Sequence, residues 1–188
     1  LSLHDALPIS AETAWAVWAL GRSDQAARDG LHFLVAAQNA DGGWGESEAG
    51  GSRVETTAVA FFALAATEPS SPALQGALDY LWANAADQTC WYQVGGAIAL
   101  TSEALQGLIQ ARVTDERINR GLGWLLNMQA EATADLAGQI AASRFTDLPV
   151  AGIIQRLAAR QNADGGFGAG EGVASDTADS ALALQALN

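Results

Sequence analysis

Five carboxylates stand near the polar openings of long apolar runs: Glu55, Glu103, Asp135, Asp176 and Asp179. A carboxyl group that is paired and partly withdrawn from water titrates closer to neutrality, and can then give or take a proton. Glu55, Glu103, Asp176 and Asp179 are the catalytic candidates on these grounds. The competing reading of each is a first-turn acid or helix cap, worth about 1 kcal/mol and no chemistry. Four rings, Trp15, Trp18, Phe61 and Phe62, lie inside two of the apolar runs. Trp15 and Trp18 share a helical face, whereas the adjacent Phe61 and Phe62 cannot both point the same way. Such rings either wall an apolar cavity or pack one helix layer on another.

Other chemistries find no support in the sequence. There is no Gly-x-Ser-x-Gly nucleophile elbow and no Ser/His/Asp arrangement. His32 sits in an amphipathic run, where a packed or surface imidazole is the ordinary case, and His4 belongs to an atypical leader. Cys90, the sole cysteine, lies between Thr89 and Trp91 and reads as a small packed side chain. Three zinc ligands cannot be assembled from these, so no metal and no cofactor is expected. The formal charge is -12, with 21 acidic residues against nine arginines and no lysine. A polyanion repels phosphate backbones and anionic lipid, which argues against nucleic acid as a partner. No apolar run is long enough for a transmembrane segment.

The elements that must position these side chains announce themselves by repetition. QNADGGWG occupies Gln38 to Gly45, and QNADGGFG occupies Gln161 to Gly168, 123 positions later. Apolar runs beginning at Ala11, Val54, Leu100, Thr133 and Ser175 open with polar residues and continue in Ala, Leu and aromatics, as buried helices do. Between them, runs such as AARDGLHFLVAAQN and RINRGLGWLLNMQ carry one apolar stripe and one polar face, as outer helices do. Ser52 followed by Glu55 fits a reciprocal capping box. Aligned on Thr13, Thr57, Ser102, Thr133 and Thr177, the buried runs recur at a spacing typical of helical repeats, with one short step after Gln129. The fold class is therefore all-α, about nine helices in pairs, each pair leaning on the next.

In this scheme Gln38 and Gln161 close outer helices. Gly42, Gly43, Gly165 and Gly166 allow a tight reversal, and the rings of Trp44 and Phe167 cover the seam between pairs, with Gly45 and Gly168 letting the backbone pass. No strand precedes these glycines, so they are not a dinucleotide cradle. LSLHDALPI has no counterpart later in the chain and resembles translated sequencing-adapter bases. Residues 1–9 are read as a non-native leader and 10–188 as the repeat domain.

Gln-x-x-x-Gly-Gly-Trp-Gly ahead of a Thr-Ala-x-Ala-Leu helix resembles the repeat shared by squalene and hopene cyclases, plant diterpene cyclases and protein prenyltransferase β subunits. The similarity spans residues 10–188. It implies an (α/α) toroid of two concentric layers with the buried helices inside. Nine helices would make an incomplete ring, an open arc that self-associates in isolation or meets the remainder of its own toroid. The resemblance further implies an apolar, isoprenoid-like ligand, with Trp15, Trp18, Phe61 and Phe62 as cavity walls able to stabilise a cation. Cyclases of this kind place an Asp-x-Asp-Asp-Thr run at an inner helix start. The matching stretch, Val173-Ala174-Ser175-Asp176-Thr177, has Ser175 where the proton donor belongs, so the catalytic acid is absent from this stretch. The zinc ligands of the prenyltransferases and the Gly-Cys-Gly-Glu-Gln thioester of complement-like toroids are missing too. Two functions stay open. One is a cyclase-like protein, cytoplasmic or membrane-peripheral, with its acid supplied elsewhere. The other is a non-catalytic scaffold or binding module in a larger secreted or surface protein.

Overall fold

The computed structural model describes residues 10–21, 23–47, 50–87, 89–91, 97–144, 146 and 148–188. The leader 1–9 lies outside them. Among the described residues the regular structure is all α-helical: α1 Ser10–Leu20, α2 Gln25–Ala36, α3 Val54–Thr67, α4 Ala73–Ala83, α5 Ala97–Gln110, α6 Glu116–Asn127, α7 Thr133–Ser143, α8 Ala151–Ala158 and α9 Thr177–Leu187. The odd helices pack side by side in chain order, and each even helix packs against the odd helix before it. Helix starts follow local chemistry. Asp24, Asp115 and Asp176 each accept a hydrogen bond from a backbone N–H of the first turn they precede.

The expected capping box at Ser52 and Glu55 does not form. Arg53 precedes α3 without a side-chain cap, and Glu55 instead takes a two-pronged contact from the Arg53 guanidinium at 2.8 and 2.9 Å. Ser52 is occupied elsewhere. Its hydroxyl donates to Asp41 at 2.6 Å and accepts from the Asn39 amide at 2.9 Å, which locks the glycine loop. Burial also differs from expectation at the two ends. Helix α3 is buried on nearly every side, but α9 buries only Ala183 and Ala186. An odd helix in the middle of the row has two odd neighbours, and α1 and α9 have one each.

A single hydroxyl sets the register of three odd helices, α3, α5 and α9. The backbone N–H of Trp44 donates to Thr57 Oγ1, that of Trp91 to Thr101 Oγ1, and that of Phe167 to Ser180 Oγ, each at 2.9 Å. Helix α7 follows no such loop, and Leu136 stands at the matching place: its neighbours Ala134, Ala137, Gly138 and Ala141 line the same surface as Ala99, Ser102, Glu103 and Gln106, each pair 35 apart. The alignment on Ser102, Thr133 and Thr177 is thereby corrected to Thr101, Leu136 and Ser180. Thr13, Thr57, Thr101, Leu136 and Ser180 are spaced by 44, 44, 35 and 44.

The seam between pairs is filled as the loop argument expects, and one seam was not legible beforehand. Trp44 is fully buried with its indole N–H on the Leu34 carbonyl at 2.7 Å; Trp91 is fully buried with its N–H on the Leu81 carbonyl at 2.7 Å. Leu34 and Leu81 both lie two residues from the end of an even helix. At the third such place, Leu125, the Gln139 amide from α7 donates to the carbonyl at 2.7 Å. At each of these three helix ends a side-chain N–H from the next segment therefore reaches the same carbonyl.

Candidate functional site

Counting from the register residues, the second residue onward is Trp15, Val59, Glu103, Gly138 and Leu182, and the fifth is Trp18, Phe62, Gln106, Ala141 and Gln185. Apart from Trp18, all of them line one of two adjoining cavities on the free face of the odd row. The larger, about 110 Å³, is walled by Trp15, Glu103, Gln106, Gly138, Leu182 and Gln185 among others. The smaller, about 30 Å³, adds Val59 and Phe62 and shares Trp15, Glu103, Gln106 and Gln185. An open cleft of about 410 Å³ continues past Glu103 to Glu12, Glu46, Arg53 and Glu55. Residues of α1 and α9 meet in both cavities, so the row is concave on this side. Trp15, Trp18 and Phe62 form one ring cluster, with centroids 5.8 to 6.1 Å apart.

Among the described residues, Glu103 alone lines both cavities and the cleft. It occupies a place where its register partners are Trp15, Val59, Gly138 and Leu182. Among the described residues no donor hydrogen-bonds its carboxyl group. Burial raises its pKa to about 7, and the negative charge of Glu55 adds to the rise. Nearby polarity is already spoken for: Gln106 donates to the Ser102 hydroxyl at 3.1 Å, and that hydroxyl donates to the Gly138 carbonyl at 2.6 Å.

The other candidates separate clearly. Glu55 sits on the rim of the cleft, held by Arg53. Asp176 caps α9 by accepting from the Asp179 backbone N–H at 2.9 Å, which with the Asp179 side chain holds its carboxyl below the ordinary range. Asp179 is raised, first by burial and then by its contacts with Asp176. Neither lines the cavities, so their position serves the helix start. Asp135 is raised by burial, against a backbone hydrogen bond from Ala99. Phe61 is corrected as a cavity residue: it is 1% exposed and lies against Gly107, whose missing side chain leaves room for the ring. Phe62, one residue on, faces the cavity. Trp15 and Trp18 are 42% and 41% exposed. His32 lies on the exposed side of α2, Cys90 is buried, and no group of three metal-ligating side chains exists among the described residues. Among them, too, no helix is long and apolar enough to cross a membrane.

Three residues escaped the sequence reading: Trp91, Gln106 and Gln185. A signal for Trp91 exists, since Leu34–Trp44, Leu81–Trp91 and Leu157–Phe167 share a spacing of ten. The two glutamines carried no signal, because polar residues in a helix ordinarily mark its solvent face. No protein-family model matches this chain, and no curated protein matches it.

Proposed function

We propose that the chain is an arc of an (α/α) toroid akin to the terpene cyclases and prenyltransferases, and that the concave face of its odd helices binds an apolar, isoprenoid-like molecule. The observation that carries this reading is the exposed Trp15 and Trp18 rings clustered on Phe62 beside a recessed cavity. Large rings left open to solvent in a concave wall are what an apolar ligand would cover. The enclosed volume suits a group of a few heavy atoms, and a longer chain would run on into the cleft.

Cyclisation by this part of the chain is not supported. Ser175, in the place of a proton donor, donates to Asp164 at 2.8 Å and accepts from Asn162 at 3.0 Å, so it is a loop lock. A carboxyl group titrating near 7, such as Glu103, is far too weak an acid to protonate an alkene. Any such acid would come from elsewhere in a longer protein. The loop-lock role of Ser175 also favours the second reading, a non-catalytic scaffold or binding module. Incubation with squalene and with C15 to C20 prenyl diphosphates separates the two. Binding without turnover supports the module, cyclised or hydrolysed product supports the enzyme, and neither binding nor product overturns the proposal.

A further inference from the structure

Both cavities carry a single charged lining group, and it is negative; their other polar side chains are Ser102, Gln106 and Gln185. Glu103 projects from a register position filled elsewhere by Trp, Val, Gly and Leu, and it lacks a hydrogen-bond donor among the described residues. Its neighbours are the Trp15 and Phe62 rings. An aromatic face attracts a cation, and the attraction grows when water is excluded. A cation would also relieve the partly buried carboxylate, whereas a neutral ligand leaves it uncompensated.

The groups facing Glu103 set the sign of the site. Glu12 from α1 and Glu55 from α3 share its cleft, as do Glu46 and Arg53 from the loop before α3. Arg53 is engaged by Glu46 at 3.3 Å and by Glu55 at 2.8 Å. The lining residues of α7 and α9 carry no charge: Ala134, Ala137, Gly138 and Ala141 on one, Leu182, Gln185 and Ala186 on the other. Helix α6 packs on the far side of α5, where Gly121 meets Leu105. A diphosphate or carboxylate entering here meets four acids and one arginine that is already paired. The field opposes it.

We propose that this site takes a cationic amphiphile, an alkyl or prenyl chain ending in an ammonium group, with the ammonium against the Glu103 carboxylate and the Trp15 and Phe62 rings. The inference rests on the reading that this face binds an apolar ligand, and narrows it to one charge class. Because Glu103 is largely protonated below pH 7, a bound cation expels its proton. Affinity for the cation rises with pH through that value.

Titration calorimetry on the chain with dodecyltrimethylammonium, dodecanol and dodecyl phosphate, each below its aggregation threshold, tests this. The cation should bind at least roughly tenfold tighter than either other probe. Binding at pH 6.5 in buffers of different ionisation enthalpy should show release of up to about one proton. Glu103→Gln should lose roughly tenfold for the cation and lose the pH dependence, with a smaller change for dodecanol than for the cation. Trp15→Leu should weaken the cation too, which keeps the test alive if the first variant folds poorly. Glu116→Gln, on the exposed face of α6, should change nothing. Equal loss in Glu116→Gln would mean adsorption to an acidic surface and overturn the proposal, as would an unchanged Glu103→Gln or a preference for dodecanol. Binding of dodecanol without selectivity sinks only the cation inference. No binding of any probe sinks the apolar-ligand reading with it.

Discussion

The two glycine loops are near copies internally and differ in what surrounds them. In both, the Asn backbone N–H donates to the second glycine of the pair at 2.9 Å, Asn39 to Gly43 and Asn162 to Gly166. In both, a serine bridges the Asn amide and the loop aspartate, and an odd-helix hydroxyl receives the N–H of the aromatic residue. Beyond the loop the likeness stops. Gly42 touches α4 so closely that a Cβ there would lie 2.2 Å from the Gly76 carbonyl oxygen, and Gln38 donates at 2.8 Å to the Ala73 carbonyl. Gly165 has nothing within 4 Å of the same point, and Gln161 donates only within its own loop, to Gly165. The helices that follow repeat the contrast. Phe61 on α3 is 1% exposed beneath α5, while Leu184, its register partner on α9, is 52% exposed. One local code makes both loops, and the neighbouring helix decides what each is worth in stability.

The largest test of that contrast is truncation at the matched apolar position. Phe61→Ala should cost about 3–5 kcal/mol in a urea melt, from lost burial and an opened cavity. Leu184→Ala should cost about 0.5 kcal/mol, as surface changes do. Similar losses at both positions would mean that the free side of α9 is covered in solution. Next comes the loop glycine. Gly42→Ala forces a Cβ into the Gly76 backbone at φ +88°, so a loss above roughly 3 kcal/mol is expected. Gly165→Ala meets only the strain of φ +85°, about 1 kcal/mol. Equal unfolding midpoints for the two variants would unseat α4 from the first loop.

A third test uses the place in the register shared by Val59, Glu103 and Leu182. The folded pKa of Glu103, about 7, lies above its ordinary value of 4.5. Below about pH 4.5 the group is protonated in both states and costs nothing. As pH rises toward 7 the unfolded chain ionises freely and the folded one resists, so stability falls by up to about 3 kcal/mol and then levels. Glu103→Gln should abolish that part of the fall between pH 4.5 and 8, measured from urea midpoints at each pH. Parallel curves for the two proteins would show that water reaches the carboxyl group freely. The smallest effect converts one loop toward the other. Trp44→Phe keeps a ring but orphans the Leu34 carbonyl, at about 1–2 kcal/mol in the same melts.

Much of this architecture was legible in advance because it is written locally. Helix pairing follows from apolar periodicity, and the two glycine loops follow from residue types that bend a chain. Trp91 was not legible as a third seam. No Gly-Gly pair precedes it in the loop, and Asp87, at φ +49°, provides a left-handed turn there instead. The register was misjudged by one residue at Thr101 and by three at Leu136 and Ser180, since several hydroxyls near a helix start look alike. The one that matters is known only from the aromatic N–H that reaches it. For the same reason Ser52 read as a cap, when the loop claims its hydroxyl.

By itself the sequence determined the helices, their pairing and the internal bonds of each loop, all of which depend on residues within about one repeat of each other. Only the tertiary structure decided that Phe62 rather than Phe61 faces the cavity, that Glu103 alone among the described acids is partly withdrawn from water beside rings, and that near-identical loops stand in unequal surroundings. Burial is a property of what approaches from elsewhere in the chain. A carboxylate on one helix cannot carry that information in its own neighbourhood.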